Sequence, residues 1–513
     1  MANFIDDNIN QTVFLDVNFL DTLGENTFEF SLYTLLTDTL DLSEFTDKYK
    51  NKKSGRKAYP PALLLRVIFY AYYRGITSSR VIERMCKTDL KFMALAAGRT
   101  PHFTTIADFV SGNTNAMTSL FYKVLMICCQ SGLVGKEHFA IDGCKLPSDA
   151  SKEWSGKHKD LQKKSNKMKA AAQKIIDKHL CNDNDKDPNS GDKKRELQTI
   201  DTLLKNAGKI DEFLKDNEKR IGTGRRKNEV MSNVTDNEST KMTTSKGTIQ
   251  GYNCQTASDE LHQIVIYAEA TGVGSDQSAL KPMIEGIRKN LSEDIFDNGI
   301  LVTADTGYSS VDNMDYLHAE GINAVVPDNQ FRKRDKRIVD SETYQGHKEL
   351  RKKTRKDKPK TTATAIPATE FFVNYEAKTC VCPNGKQMMF QGDHFKGTRG
   401  NYMRFRGKLA DCRSCPMQST CMKKPVKDQG RQVSFYADYI ETDSCLELMK
   451  RRIDSEQGRR EYGRRMWTIE PVFGNITSNK GLNRISLRGK AKATAQWLMY
   501  CMVHNIEKYW RYA

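Results

Sequence analysis

Three short segments, far apart in the chain, each carry one carboxylate where metal-assisted phosphate chemistry would need it. They are Phe139-Ala-Ile-Asp142-Gly-Cys-Lys145, Ile300-Leu-Val-Thr-Ala-Asp305-Thr-Gly-Tyr308 and Tyr462-Gly-Arg-Arg465-Met-Trp-Thr-Ile-Glu470-Pro-Val-Phe-Gly474. Asp142 and Asp305 each close a β-branched and apolar run that reads as a buried strand. Glu470 lies beside a helical, arginine-rich stretch. A carboxylate at a buried strand end costs free energy unless a cation meets it, and Mg²⁺ is the usual candidate. Two divalent ions about 4 Å apart can activate an attacking water or 3′-hydroxyl and stabilise the leaving oxygen. Taken singly, each of these acids reads better as a surface, capping or turn residue; only as a set do they suggest a site.

A second constellation is made of cysteine. Cys382-Pro-Asn-Gly385 is followed by Cys412-Arg-Ser-Cys415 and by Cys421, with Cys380 as an extra neighbour. Four thiolates with one CxxC pair can close a tetrahedral Zn²⁺ site. A metal is favoured because small Gly-rich polar loops lack the apolar area to hold themselves together. Buried free cysteines and an iron–sulfur cluster stay open as alternatives. Cys128-Cys129, on an apolar helix, read as core. Trp467 lies between Arg465 and Glu470, and could stack on a flipped base; the reading as a core tryptophan anchoring the helix is favoured. His158, His262, His318 and His347 are isolated and show no ligand spacing.

The elements that must position these residues follow from periodicity and charge. A chain of 513 residues should hold two to four modules. Lys and Arg exceed Asp and Glu by 17, which suggests an anionic polymer as partner. The excess is uneven: residues 1–50 carry a net −8, residues 331–360 a net +8 and residues 451–492, which include Glu470, a net +7. The acidic N-terminus lacks an apolar signal-like run, the apolar stretch from Leu63 to Tyr73 is interrupted by Arg66 and too short to span a bilayer, and 13 cysteines suit a reducing compartment. The expectation is a soluble cytoplasmic protein, with no membrane partner.

Residues 1–50 look peripheral. From Pro61 to about Thr118 the apolar spacing is helical, with starts at Pro61, Ser79 and Pro101, compatible equally with a helix-turn-helix reader and a plain bundle. Residues 138–146 read as a strand and 151–227 as a charged helical hairpin. Strands are expected at Thr248–Thr256, Gln263–Ala270, Gly299–Ala304 and Ile322–Pro327, with helices from Ser278 to Asn290 and from Ser310 to Glu320. That order is a mixed α/β sheet. Residues 370–440 read as short strands, and Ala491–Tyr509 as a helix whose stripe (Ala495, Leu498, Met502, Ile506) packs on the sheet. The domains expected are 1–120 (N-terminal helical, DNA-binding), 136–330 (catalytic core with a helical insertion at 151–235), 331–454 (basic and Cys-rich β insertion) and 455–513 (helical, carrying the Glu).

The segments together resemble the DDE transposases of bacterial insertion sequences, in the group whose final Glu follows a Tyr and an Arg on a helix. The resemblance runs through Tyr59-Pro-Pro, Arg74-Gly-Ile-Thr-Ser-Ser-Arg80 and Thr104-Thr-Ile-Ala-Asp-Phe109, then Ile141-Asp-Gly-Cys-Lys145 with Ala150-Ser-Lys. It continues through Gly251-Tyr-Asn-Cys-Gln255 with Asp259-Glu-Leu-His262, Ala304-Asp-Thr-Gly-Tyr308, Phe331-Arg-Lys-Arg-Asp335, and Glu470-Pro-Val-Phe-Gly474 with Leu487-Arg-Gly489. Any one of these is weak; six in order are specific. The resemblance implies an RNase H-like core, with Asp142, Asp305 and Glu470 as ligands of two Mg²⁺ or Mn²⁺ ions. It also implies cleavage of DNA at the element's terminal inverted repeats, transfer of the freed 3′-hydroxyl into target DNA, and a homodimer in the DNA complex, nucleoid-associated when bound. Tyr462 and Arg465 would contact DNA near the scissile phosphate. Lys480 would make a base-flanking or phosphate contact, with Trp467, Arg484 and Arg488 on the same DNA-binding surface. The spacing departs from the common signature: Arg465 lies five before Glu470 rather than four, and Lys480 ten after it rather than seven. A DNA nuclease of the same fold and a non-catalytic DNA-binding relic are the competing readings.

Overall fold

The computed structural model describes residues 18–46, 49, 57–181, 191–222, 227–244, 247–342, 345–346, 365–397, 400–422, 426–436 and 444–513. The chain divides into two compact units, Met1–Phe331 with Cys445–Ala513, and Arg332–Ser444.

The first unit is built on a mixed sheet of β1 (His138–Pro147), β2 (Thr240–Thr244), β3 (Gly247–Asp259), β4 (Val265–Thr271), β5 (Leu301–Ala304) and β6 (Ala324–Val325). The order is β2-β3-β1-β5-β6, with β4 also paired to β3. β2 and β4 share one edge of β3, covering its residues 247–251 and 253–258 in turn. β3 is antiparallel to β1, whereas β5 runs parallel to β1 and β6 parallel to β5. The first four residues of β1 and all of β5 are buried, as apolar runs covered on both faces should be. One face packs Phe139, Ile141, Ala257 and Ile266 against later helices; the other packs Ala140, Leu146, Cys254 and Ala268 into a larger cluster.

Ten helices matter to the site and its support. α1 (Pro61–Tyr73) starts on a proline, whose missing N–H costs nothing there, and α2 (Thr114–Gln130) follows. α3 (His158–Cys181) and α4 (Gly191–Asp216) are the charged pair expected from the lysine-rich sequence; they bury Leu161, Ile210 and Phe213 between them. α5 (Leu280–Asn290) and α6 (Val311–Ala319) cover one sheet face. α7 (Glu456–Gly463), α8 (Arg465–Thr468) and α9 (Glu470–Gly474) form a broken run, and α10 (Lys490–Tyr512) ends the chain.

Two expectations change. Residues 1–50 are not all peripheral: Leu23, Phe28, Leu32, Leu36 and Phe45 are buried in the large cluster. Phe28 stacks on Tyr73 at 3.9 Å, and Trp510 donates to the Asn26 carbonyl at 2.9 Å. Among the described residues of this stretch Asp21, Glu25, Asp38, Asp41 and Glu44 stay exposed while most leucines and phenylalanines go in. The last helix carries more than an apolar stripe. Every residue from Ala495 to Glu507 is buried, because α10 lies between the N-terminal helices and the sheet, and a helix covered on both sides is buried all round. The N-terminal helices, this sheet face and α10 thus share one core.

The second unit holds the antiparallel strands β7 (Phe372–Asn374), β8 (Thr379–Val381), β9 (Gln387–Gly397), β10 (Gly400–Arg406) and β11 (Gln432–Tyr436), ordered β11-β10-β9-β8-β7. Its buried cluster is small: Phe371, Cys380, Met388, Met403, Phe405 and Val433. Much of the basic stretch expected at 331–360 lies outside the described residues.

Candidate active site

The parallel pairing of β1 and β5 aligns Ile141 with Ala304. The next residue on each strand is an aspartate, so Asp142 and Asp305 stand side by side at the same end, about 4.8 Å being the usual strand spacing. Glu470 comes from the broken helical run. α7 is capped by Ser455, whose hydroxyl accepts from the Gly458 N–H at 3.0 Å. The run breaks again at Ile469, and Glu470 opens α9 with Pro471 behind it, as its neighbouring proline predicts. Ile469 and Val472 anchor this turn in the core, leaving Glu470 turned toward the strand ends.

One guanidinium joins the three acids. Arg465 Nη1 donates to Asp142 Oδ2 at 2.6 Å, and Nη2 lies 3.8 Å from Asp305 Oδ1 and 3.9 Å from Glu470 Oε1. Side-chain exposure rises from 8% at Arg465 to 18% at Asp142, 38% at Asp305 and 50% at Glu470, so the cluster is closed at Asp142 and open at Glu470. Tyr462 donates to Asp305 Oδ1 at 3.2 Å. Asp142 Oδ1 also accepts from the Gly143 N–H at 2.8 Å.

The electrostatics follow from this placement. Burial pushes the Asp142 carboxyl up to about 6, against the pull of Arg465. Burial works against the charge of Arg465, yet Asp142, Tyr462 and Asp305 more than offset it and hold its pKa above the ordinary arginine value. Tyr462 is pushed up to about 12 by burial and then by Asp305, so it stays a hydrogen-bond donor. Nε of Arg465 is buried without a hydrogen-bond partner. Three carboxylates turned on one cation form a donor set of hard oxygens, the kind Mg²⁺ or Mn²⁺ takes. Among the described residues no three His, Cys, Asp or Glu side chains are gathered closely enough to hold an ion as they stand; the guanidinium lies between the carboxylates.

The other candidates fall in different places. Trp467 is 57% exposed rather than core; its indole N–H donates to Glu260 at 2.9 Å, which keeps the ring at the surface. Arg484 and Arg488 are exposed and pair with Asp149 at 3.9 and 3.2 Å. Lys480 is not at the surface: it is 1% exposed and ion-paired with the buried Glu507 of α10. A phosphate could not reach it without opening the core, which corrects the expected DNA contact. Cys382, Cys412, Cys415 and Cys421 line one cavity of about 40 Å³. Backbone N–H groups of Lys386 and Arg431 point at the sulfurs of Cys382 and Cys412, each at 3.4 Å. Cys380 is fully buried, its thiol against the Met388 sulfur.

Sequence reasoning missed the clamp beside the site. Glu260 accepts from Arg464, through Nε at 2.9 Å and through Nη2, as well as from Trp467. It lies 3.5 Å from His138 Nδ1. Burial pushes His138 down to about 4, so the ring is neutral at pH 7 and this last contact is no ion pair. The clamp fixes the backbone next to Arg465. No local spacing could pair residue 260 with residue 464.

An α/β fold with an acidic site at its strand ends, bridged by an arginine, defines the class. The family described as Transposase domain (DUF772) matches residues 21–112, and the family described as Transposase DDE domain matches residues 381–510. The second match contains Glu470, Arg465 and the cysteine segment. No curated protein and no solved structure matches the chain. Over these two segments the chain is similar to transposases, the second match being to a DDE domain, and this supports a DDE transposase of insertion-sequence type. No helix among the described residues is long and apolar enough to cross a membrane.

Proposed function

We propose that the chain cuts DNA at the ends of an insertion sequence and joins the freed 3′-hydroxyl to target DNA, with Asp142, Asp305 and Glu470 holding two Mg²⁺ or Mn²⁺ ions. The observation that carries this reading is the meeting of three acids, from two parallel strand ends and one helix start, around a single cation. An RNase H-like core is supported by the strand order: β1, β3 and β4 pair antiparallel, with the short β2 added on the edge of β3, and β5 and β6 run parallel to β1. When bound, the ions supply Lewis-acid activation of the attacking oxygen and stabilisation of the leaving one.

The chain's own residues do the rest. In the free protein Arg465 offsets part of the acids' charge, chiefly at Asp142, and with ions bound its guanidinium would be free for a DNA phosphate, for which its fork of donors is suited. Tyr462 holds Asp305 in orientation. Trp467, exposed beside the site, offers a stacking face for a displaced base, and Arg484 and Arg488 contact the DNA backbone. The N-terminal helices take part in recognising the inverted repeats, and a homodimer brings two ends together. The cysteine segment holds a structural Zn²⁺; the common cavity and the N–H groups directed at two sulfurs support it, and closure around the ion requires the four sulfurs to draw in. Metal analysis of the parent and of Cys412→Ser with Cys415→Ser decides this, with about one zinc per chain expected in the parent and loss in the variant.

The function is tested with purified full chain, Mg²⁺ or Mn²⁺, and DNA carrying the element's ends. Cleavage and joined products are expected from the parent, and neither from Asp142→Asn or Asp305→Asn, both of which should still bind DNA. Cleavage without joining would make the chain a nuclease. Normal cleavage by both variants would remove the three acids from the chemistry.

A further inference from the structure

A fourth carboxylate, Asp276, lies against glycines that follow the two strand-end acids, Gly143 and Gly307. Asp276 sits between β4 and α5. Its Oδ1 accepts from Asn253 Nδ2 at 2.6 Å and from Gln255 Nε2 at 3.0 Å, two amides of β3 with no exposed surface. Tyr308, also fully buried, donates its hydroxyl to the side-chain amide oxygen Oε1 of Gln255. The network presses on the residues next to both acids. A Cβ added to Gly143, which follows Asp142, would lie 2.3 Å from Gln255 Nε2, 2.7 Å from Asn253 Oδ1 and 3.1 Å from Asp276 Oδ1. One added to Gly307, two residues after Asp305, would lie 2.9 Å from Asp276 Oδ2. A side chain at either position would force Asp276 or its amide partners to shift, because they fill the space a Cβ would take. Asn253 Oδ1 is buried without a hydrogen-bond partner and faces Gly143. Burial first, then Asp142, Asp276 and Asp305, raise the Tyr308 phenol, so one buried ring feels all three carboxylates.

We infer that Asp276 is a positioning residue for the metal-binding acids, wedged between the ends of β1 and β5 so that it fixes the separation of Asp142 and Asp305. The buried amides aim its carboxylate, and the two glycines let it approach the strand backbones. This rests on the proposed reading of Asp142 and Asp305 as ion ligands.

The test uses the full chain with Asp276→Asn, which keeps the volume but sets an amide against two amide donors, and with Gly307→Ala, which crowds the carboxylate while keeping its charge. Melting temperature checks folding. Mn²⁺ bound to the free protein is followed by electron paramagnetic resonance, and cleavage of element-end DNA is assayed in parallel. Both variants should bind Mn²⁺ some 10- to 100-fold more weakly, as loss of a group that orients a ligand does, with DNA affinity unchanged. Asp276→Asn should cleave on the order of 100-fold more slowly, the effect of a displacement near 1 Å. Parent-like Mn²⁺ affinity in both variants would overturn the inference, and an inactive Asp142→Asn in the same assay would leave the reading of the site standing. If instead Asp142→Asn cleaves like the parent, the reading of Asp142 and Asp305 as ion ligands fails and the inference falls with it.

Discussion

Arg465 balances charges that would otherwise repel one another. Its partners differ in exposure, and only Asp142 is held at short range, 2.6 Å. Removing one side of a buried pair typically costs about 3–5 kcal/mol, and here it would leave three acids facing each other. Arg465→Ala should therefore melt below the parent, and added Mn²⁺ should recover part of the loss, because a ligand that binds only the folded state stabilises it; a variant indifferent to Mn²⁺ would contradict the role given to these acids. Asp142 supplies a pH dependence. Its carboxyl is raised from 3.8 to about 6 in the fold, so the proton is held more tightly folded than unfolded. That contribution to stability is complete below pH 3.8 and lost as pH rises through about 6. The same proton competes with a metal ion, so Mn²⁺ affinity should fall as pH is lowered through about 6, and titrations at pH 5 and 7.5 would measure it. At this scale the sequence was readable for residue type and order. It could not reveal that Arg465 lies among the acids, nor that Trp467 is exposed, because both depend on partners such as Asp142 and Glu260, hundreds of residues away.

The elements were more legible. The apolar runs ending at Asp142 and Asp305 are strands, and the register that sets the two acids level follows from parallel pairing. The lysine-rich, polar, helix-forming composition of 151–227 gave the helical pair. The short strand Thr240–Thr244 escaped notice, its polar Thr-Lys-Met-Thr-Thr bearing little apolar pattern. Lys480 was misjudged because a lysine in a basic block reads as solvated, whereas its partner Glu507 lies on another helix. The pair ties the turn after α9 to α10: Lys480 Nζ reaches Glu507 and, at 3.2 Å, Asn475 Oδ1. Lys480 is thus a support for the element that carries Glu470. Lys480→Met would strand a buried carboxylate, leaving it Asn475 and Arg511 among the described residues. Denaturant unfolding should register a loss near the lower end of about 3–5 kcal/mol; a loss under about 1 kcal/mol would match a mere surface pair and contradict its burial.

At the scale of the molecule, the net charge of +17 argues for a polyanion, and its placement sharpens the argument. Arg484 and Arg488 are exposed and, among the described residues, pair with Asp149. If they meet phosphates, Arg484→Ala or Arg488→Ala should weaken binding of any DNA sequence alike and lower the salt slope by about one each; an unchanged slope would take them off the DNA surface. The central claim is that Asp142, Asp305 and Glu470 hold the ions that cut DNA, and the most direct measurement exchanges a hard oxygen ligand for a softer sulfur. Asp305→Cys should lose cleavage of element-end DNA in Mg²⁺, which thiolates bind poorly, and regain it in Mn²⁺, which accepts them better. Full activity in Mg²⁺, or equal inactivity in both metals from a folded protein, would contradict the account.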